Sequence, residues 1–198
     1  MSVTIAAIVE GQSEVESVPI LLRRMLTLSG VSDMVPARPF RVKRNRIVKE
    51  GELERAVDQV IRDRDNVGCI LVLLDAEGDC PAELGPSLVE RCRDATSLPV
   101  AVVLANREFE AWFLGAKESL RGLRGIRQDA SAPALPEHVQ GAKEQLTRNM
   151  GNHRYLEVDD QPAFAEMMDL GAARKRCPSF DRLCRELERI VKEARSRS

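Results

Sequence analysis

Cys69-Ile70-Leu71-Val72-Leu73-Leu74, running directly into Asp75-Ala76-Glu77-Gly78-Asp79, is the stretch that decides the fold. A short, unbroken apolar run that ends in polar residues reads as a strand buried on both faces, the kind found in parallel sheets covered by helices. Val3-Thr4-Ile5-Ala6-Ala7-Ile8-Val9 is a second run of this type, and it ends in Glu10-Gly11-Gln12-Ser13-Glu14. Pro99 to Leu104 is a third. Pro39 to Val48 is a fourth candidate, poor in apolar residues and therefore suited to a sheet edge.

Between these runs the apolar spacing becomes helical. Val18, Leu21, Leu22, Met25 and Leu26 form one stripe, and Leu53, Ala56, Val57, Val60 and Ile61 form another within Glu52 to Asp65. Glu83 to Asp94 and Arg107 to Leu120 complete the helices of the first part. Ser13 and Glu16 have capping-box spacing, while Pro19 points to a regular start nearer Ser17, and Gly30 is the expected stop. Such alternation implies an α/β fold with a Rossmann-like, mostly parallel four-stranded sheet over residues 1–120. Arg121 to Pro136 reads as a loop. Val139 to Met150, Pro162 to Leu170 and Phe180 to Ala194 then read as helices, a C-terminal extension over residues 121–198 packed on the core of one domain.

Composition narrows the function classes. Thirty basic and 31 acidic residues give a net charge of −1, which argues against a protein held to nucleic acid by bulk charge. The five cysteines are scattered and odd in number, which points to reduced thiols in a cytoplasm and against a disulfide framework or a zinc site. Two histidines, His138 and His153, are too few for a histidine-rich metal centre. The first apolar run is too short for a signal peptide or a membrane span. No phosphate-binding Gly-x-x-x-x-Gly-Lys loop and no Gly-x-Ser-x-Gly elbow is present, so any ATP dependence comes from a partner.

The chemistry-bearing residues gather at strand ends. In parallel sheets ligands bind at the carboxyl edge, and that is where Glu10, Glu14, Asp75, Glu77 and Asp79 fall. Asp75, Glu77 and Asp79 project alike if the chain stays extended, and Gly11 and Gly78 allow tight turns and close approach of a phosphate. Crowded carboxylates repel, and Mg²⁺ or Mn²⁺ relieves the repulsion. The competing reading has Asp75 and Asp79 capping a helix, with Glu10 and Glu14 in solvent. Glu108 and Glu110 open the next helix, and being two apart they do not share a face, so Glu108 is taken as an outer ligand. Trp112 and Phe113 read as core anchors rather than base-stacking platforms. Arg41, Lys43, Arg44 and Arg46 stand in a stretch from Arg38 to Lys49 that lacks any acid, suited to a nucleic-acid backbone or to a charged, aggregation-resistant edge.

Glu10-Gly11 after one strand and Asp75-Ala76-Glu77 after a later one resemble a toprim domain, although Glu77 stands where such domains usually carry Asp. The order of Arg107-Glu108-Phe109-Glu110-Ala111-Trp112-Phe113, Asp160-Gln161-Pro162, Met168-Asp169-Leu170 and Ser179-Phe180 is similar to a toprim-like family of bacteria, often encoded beside an ATPase in phage-defence loci. That family is related to the toprim nucleases of the overcoming-lysogenization-defect family. The resemblance implies a Mg²⁺- or Mn²⁺-dependent endonuclease acting on nucleic acid, DNA before RNA, with a partner ATPase, in the cytoplasm, away from membranes and able to form a homo-oligomer. It implies Glu10, Glu14, Asp75, Glu77 and Asp79 as metal ligands, Glu10 also as general base, and a lysine near the metals, for which Lys143 is the candidate and Lys117 the rival. The alternative is a non-catalytic toprim-like module that binds nucleic acid or a partner ATPase.

Overall fold

The computed structural model describes residues 2–151 and 153–197. Its sheet contains β1 (Val3–Val9), β2 (Met34–Pro36), β3 (Phe40–Arg41), β4 (Val67–Asp75) and β5 (Val100–Ala105). The strand order is β2-β1-β4-β5, β3 also pairs with β1, and every pairing is parallel. Side chains alternate between two apolar layers, as the pleat requires. Cys69, Leu71 and Leu73 enter one layer, and Ile70, Val72 and Leu74 the other.

The first layer is closed by α1 (Glu14–Leu28), α5 (Glu110–Gly115), α6 (Ala142–Asn149), α7 (Glu157–Met167), α8 (Leu170–Arg176) and α9 (Pro178–Arg195). The second is closed by α3 (Glu52–Arg62) and α4 (Pro81–Ala95), together with Ile47 of α2 (Arg44–Ile47). The C-terminal helices therefore make most of one face of the sandwich, with α9 lying across β4 and β5 and α7 against α1. From β1 the chain crosses by α1 to β2 on one side, then returns over the other face by α3 to β4. The crevice between the carboxyl ends of β1 and β4 is thus a topological switch point, the place where open α/β sheets bind ligands. Val9 pairs with Leu73, so Glu10 and Asp75 leave the sheet side by side.

Several expectations change. Of the fourth strand expected over 39–48 only β3 (Phe40–Arg41) forms, and β2 (Met34–Pro36) is an additional strand ahead of it, which raises the strand count to five. Pro36 and Pro39 offer no N–H to the ladder. Ala37 N–H to the Ile5 carbonyl (3.0 Å) and Val42 N–H to the Val9 carbonyl (2.8 Å) carry the edge past them. From Arg44 the segment turns helical to bury Ile47 completely. Helix α1 starts at Glu14 with Pro19 inside it, and Ser13 makes no side-chain capping bond. The helix expected over 107–120 begins only at Glu110, because Arg107 has a left-handed backbone (φ 63°), and it breaks into a 3₁₀ turn at Lys117–Leu120. The 162–170 segment is two helices: α7 starts earlier, and Asp169 caps α8 by accepting Ala172 N–H at 3.0 Å.

All five cysteines are free, and among the described residues no helix is long and apolar enough to cross a membrane.

Candidate active site

Three carboxylates converge at the switch point. Glu10, Glu14 and Asp75 each place an oxygen within 4.8 Å of the other two. Glu10 Oε1 accepts Asp75 N–H at 2.9 Å, which ties the end of β1 to the end of β4. Asp75 Oδ1 accepts Phe109 N–H at 2.7 Å, which orients it against the start of α5. Glu14 folds back from the first turn of α1, so that Oε2 accepts Glu10 N–H at 3.2 Å and Gly11 N–H at 3.1 Å. Glycine at residue 11 leaves room for this: a Cβ there would lie 2.8 Å from Glu14 Oε1 and require the carboxylate to shift. The Glu-Gly-x-x-Glu spacing thus seats Glu14 on the Glu10 and Gly11 N–H groups.

Burial raises the pKa of all three. It pushes the Glu14 carboxyl up to about 7, aided by the Glu10 and Glu110 charges and opposed by the two backbone N–H groups. Burial, then the Glu14, Glu110 and Glu10 charges, hold Asp75 well above the usual carboxylate range. Glu10 is raised by burial too, against the Asp75 N–H and the Arg44 charge. Its Oε2 is buried without a hydrogen-bond partner.

Glu77 and Asp79 do not join this cluster. The chain after Asp75 turns rather than staying extended. Glu77 takes a left-handed backbone (φ 51°), its N–H bonds the Arg107 carbonyl at 3.0 Å, and Asp79 N–H returns to the Ala76 carbonyl at 2.9 Å. The tight turn expected of Gly78 is made by Glu77 instead, and nothing lies within 4 Å of a Cβ placed on Gly78. The exposed carboxylates of Glu77 and Asp79 are met by Arg44, whose Nε lies 3.5 Å from Glu77 and whose Nη2 binds Asp79. Arg44 Nη1 also donates to the Asp75 carbonyl, and Nη2 donates to the Ala76 carbonyl at 3.2 Å. Neither Asp75 nor Asp79 caps α4, whose N-cap is Cys80. Arg44→Ala removes donors from two backbone carbonyls and the counter-ion of two carboxylates. It is expected to cost about 1–3 kcal/mol in urea denaturation.

On the far side, Asp75, Glu77, Arg107, Glu108 and Lys143 line an open cleft of about 530 Å³. Glu108 therefore reaches the cleft, at its wall, but it is Glu110 that lies behind the triad, 1% exposed. Glu110 Oε1 accepts Tyr155 Oη at 3.0 Å and Gln161 Nε2 at 3.1 Å, and Gln161 Oε1 accepts the Ser17 hydroxyl at 2.6 Å. Glu110 Oε2 is buried with no hydrogen-bond partner. Burial raises the Glu110 carboxyl, while Lys143 and these hydrogen bonds oppose the rise. Sequence reasoning chose Glu108 and missed Glu110, Gln161, Ser17 and Tyr155. One signal was available: Glu110 is flanked by Phe109, Ala111, Trp112 and Phe113, a run that buries its helix on every side.

Lys143 is paired with Glu157 at 3.0 Å. Burial works against its charge, but Glu110, Glu157 and Asp75 outweigh it and hold its pKa above the ordinary value. It is an ammonium at neutral pH. Lys117 is buried in the 3₁₀ turn outside the cleft lining, and burial lowers its pKa. Trp112 is fully buried and donates to Ser179 Oγ at 2.8 Å, a core anchor as expected. Of the basic stretch, Arg41 Nε holds the Glu10 carbonyl at 3.1 Å, Arg46 pairs with Glu52 at 2.6 Å, and Lys43 is exposed. Arg44 is spent on the acidic turn and is not free to grip a backbone.

A parallel sheet with three carboxylates crowded at its switch point, a fourth behind them and a lysine across a cleft defines an α/β protein with an acidic centre at the carboxyl edge of its sheet. The chain belongs to the DUF4276 family, described as a domain of unknown function, whose pattern spans residues 9–188 and so takes in the whole of this constellation. No curated protein and no solved structure matches the chain.

Proposed function

We propose that this chain is a divalent-metal-dependent phosphodiesterase of toprim type that cleaves nucleic acid, with Mg²⁺ or Mn²⁺ held by Glu10, Glu14 and Asp75. The observation that carries the reading is the convergence of three carboxylates, one of which, Glu10, also has a buried oxygen that no donor among the described residues satisfies. Like charges at this distance raise one another's pKa, and a hard cation with oxygen ligands relieves them. The donor set, carboxylate only, fits Mg²⁺ or Mn²⁺ rather than zinc.

A bound cation supplies Lewis-acid stabilisation of the phosphoryl oxygens and lowers the pKa of water. The protein's own groups do the rest. Glu10 Oε1 is fixed by Asp75 N–H, and Glu10 serves either to hold the cation or, as general base, to accept a proton from the attacking water. The Lys143 ammonium, at the cleft wall, offsets charge building on the phosphate. Glu110, held by Tyr155 and Gln161, helps keep Lys143 charged, and Glu157 binds its ammonium at 3.0 Å. The resemblance to toprim families in phage-defence loci supports adding a partner ATPase and a role in defence to this proposal.

The test combines melting and cleavage. Mn²⁺ at a hundredfold over its dissociation constant is expected to stabilise the wild type by about 2.7 kcal/mol, read as a rise in Tm. Asp75→Asn is expected to lose that rise while melting higher than wild type without metal, because one charge leaves a crowded anionic cluster and Phe109 N–H keeps its acceptor. Supercoiled DNA, single-stranded DNA and RNA are then incubated with Mg²⁺, Mn²⁺ or EDTA, with and without an ATPase encoded beside the gene. Equal metal responses in the two proteins sink the metal centre. A metal response without cleavage of any substrate returns the protein to a binding module.

A further inference from the structure

A second cleft, of about 560 Å³, opens on the other side of Glu10 between β3, α2 and α3. Phe40, Arg41, Lys43, Arg46 and Arg55 line it together with one carboxylate, Glu52. We infer that this cleft is a nucleotide subsite that takes an unstacked base beside Phe40 and its phosphate among the four cations, which makes the substrate a single strand. The inference rests on the reading of Glu10, Glu14 and Asp75 as the hydrolytic centre and names the substrate of that centre.

Charge comes first. Four cations face one anion in a protein whose net charge is −1, so the cleft is a local concentration of positive charge rather than a sample of the surface. Glu52 holds Arg46 and Arg55, but these two are 63% and 70% exposed and swing toward a phosphate at little cost. The Lys43 ammonium makes no hydrogen bond or ion pair among the described residues. Position comes next. Arg41 lies opposite Val9 in the ladder and binds the Glu10 carbonyl, so the cleft begins one strand spacing from the acidic centre. A polynucleotide with one phosphate at Glu10 has its neighbouring nucleotide beside Arg41.

Strandedness follows from Phe40. It is half-buried: one part packs against the apolar layer under α3, and the other lines the cleft. An aromatic surface inside a basic concavity fits single-stranded nucleic acid, whose bases are free to leave the stack. A duplex presents phosphates to a surface and keeps its bases out of such a pocket. Arg44, tied to Asp79 and the Asp75 carbonyl, is not among the residues lining the cleft and takes no part in the grip.

The experiment is fluorescence anisotropy with labelled single-stranded DNA, single-stranded RNA and a duplex of the same sequence. It is run in EDTA so that binding is read without cleavage and repeated over a range of salt. Wild type is expected to bind a single strand at least tenfold more tightly than the duplex. Lys43→Glu with Arg55→Glu, both on exposed surfaces, is expected to weaken that binding tenfold or more and to flatten the log–log salt slope by about 1.4, two phosphate contacts' worth. Phe40→Leu, which preserves the apolar packing, is expected to lose about fivefold or more with the salt slope unchanged. Duplex bound as tightly as single strand overturns the inference, as does an unchanged slope in the charge-reversed variant. Hydrolysis of bis(p-nitrophenyl) phosphate in Mn²⁺ separates the two readings. Wild type that hydrolyses this small diester yet shows no preference for single strands loses the subsite and keeps the hydrolytic centre; single-strand binding without any hydrolysis does the reverse.

Discussion

Glu10→Gln is expected to lower cleavage by about 10²–10⁴-fold, the range for loss of a positioned general base. Nucleic-acid affinity measured in EDTA should stay the same or improve. The fold has no reason to suffer. A glutamine Oε1 still accepts Asp75 N–H, the bond that is 2.9 Å long with Glu10, and the link between the ends of β1 and β4 survives. What disappears is the buried Oε2, the atom without a partner, and the negative charge it carries. Removing an anion from the approach of a phosphate strengthens ground-state binding, while the transition state loses its proton acceptor. The two measurements therefore move apart, and only a catalytic role separates them in this way. Equal losses in affinity and rate would make Glu10 a binding residue. No loss in either would remove it from the chemistry.

Trp112→Ala is expected to destabilise the protein by about 3–5 kcal/mol, a large share of the roughly 5–15 kcal/mol that holds a domain together. Trp112 is the only tryptophan, fully buried, with its ring 4.6 Å from Phe109 and 5.1 Å, edge-on, from Phe180. Its indole N–H ends on Ser179 Oγ, which also accepts Asn106 N–H at 3.1 Å and is bound to the buried Glu137. One side chain thus locks α5 to α9 and to the end of β5. Truncation leaves a void that three converging elements cannot all close. Circular dichroism in urea measures the loss, and melting should fall by on the order of 6–20 °C for a chain of this size. Trp112→Phe, which keeps most of the packing, should lose far less and should bind single strands as wild type does. Weakened binding in that variant would mean the ring reaches nucleic acid after all.

The strands that build the switch point were legible because their cause is local. A continuous apolar run such as Cys69–Leu74 has no polar face to give to solvent, so it must be covered on both sides, and a polar residue at its end must lie at the sheet edge. Glu10 and Asp75 follow from that reasoning without any tertiary information. The burial of Trp112 and Phe113 is equally local, since a helix that is apolar on all sides belongs inside. The edge strand was harder. Pro36 and Pro39 are visible in the sequence, but whether the chain between them keeps one ladder or breaks into β2 and β3 depends on which N–H groups β1 still needs.

What the sequence by itself determined is therefore the layered parallel sheet and the two strand ends where acids must meet. What only the tertiary structure decided is which acids meet. Glu77 and Asp79 looked equivalent to Asp75 along an extended chain, yet a left-handed turn at Glu77 and a guanidinium from a different helix, Arg44, take both away. Glu110 looked like the weaker neighbour of Glu108, yet Tyr155 and Gln161, about 45 and 51 residues further on, fix it behind the triad. The reason is physical. Burial of a strand is set by its own side chains, whereas the direction of a carboxylate is set by the donors that happen to face it, and those donors come from parts of the chain brought near only by folding.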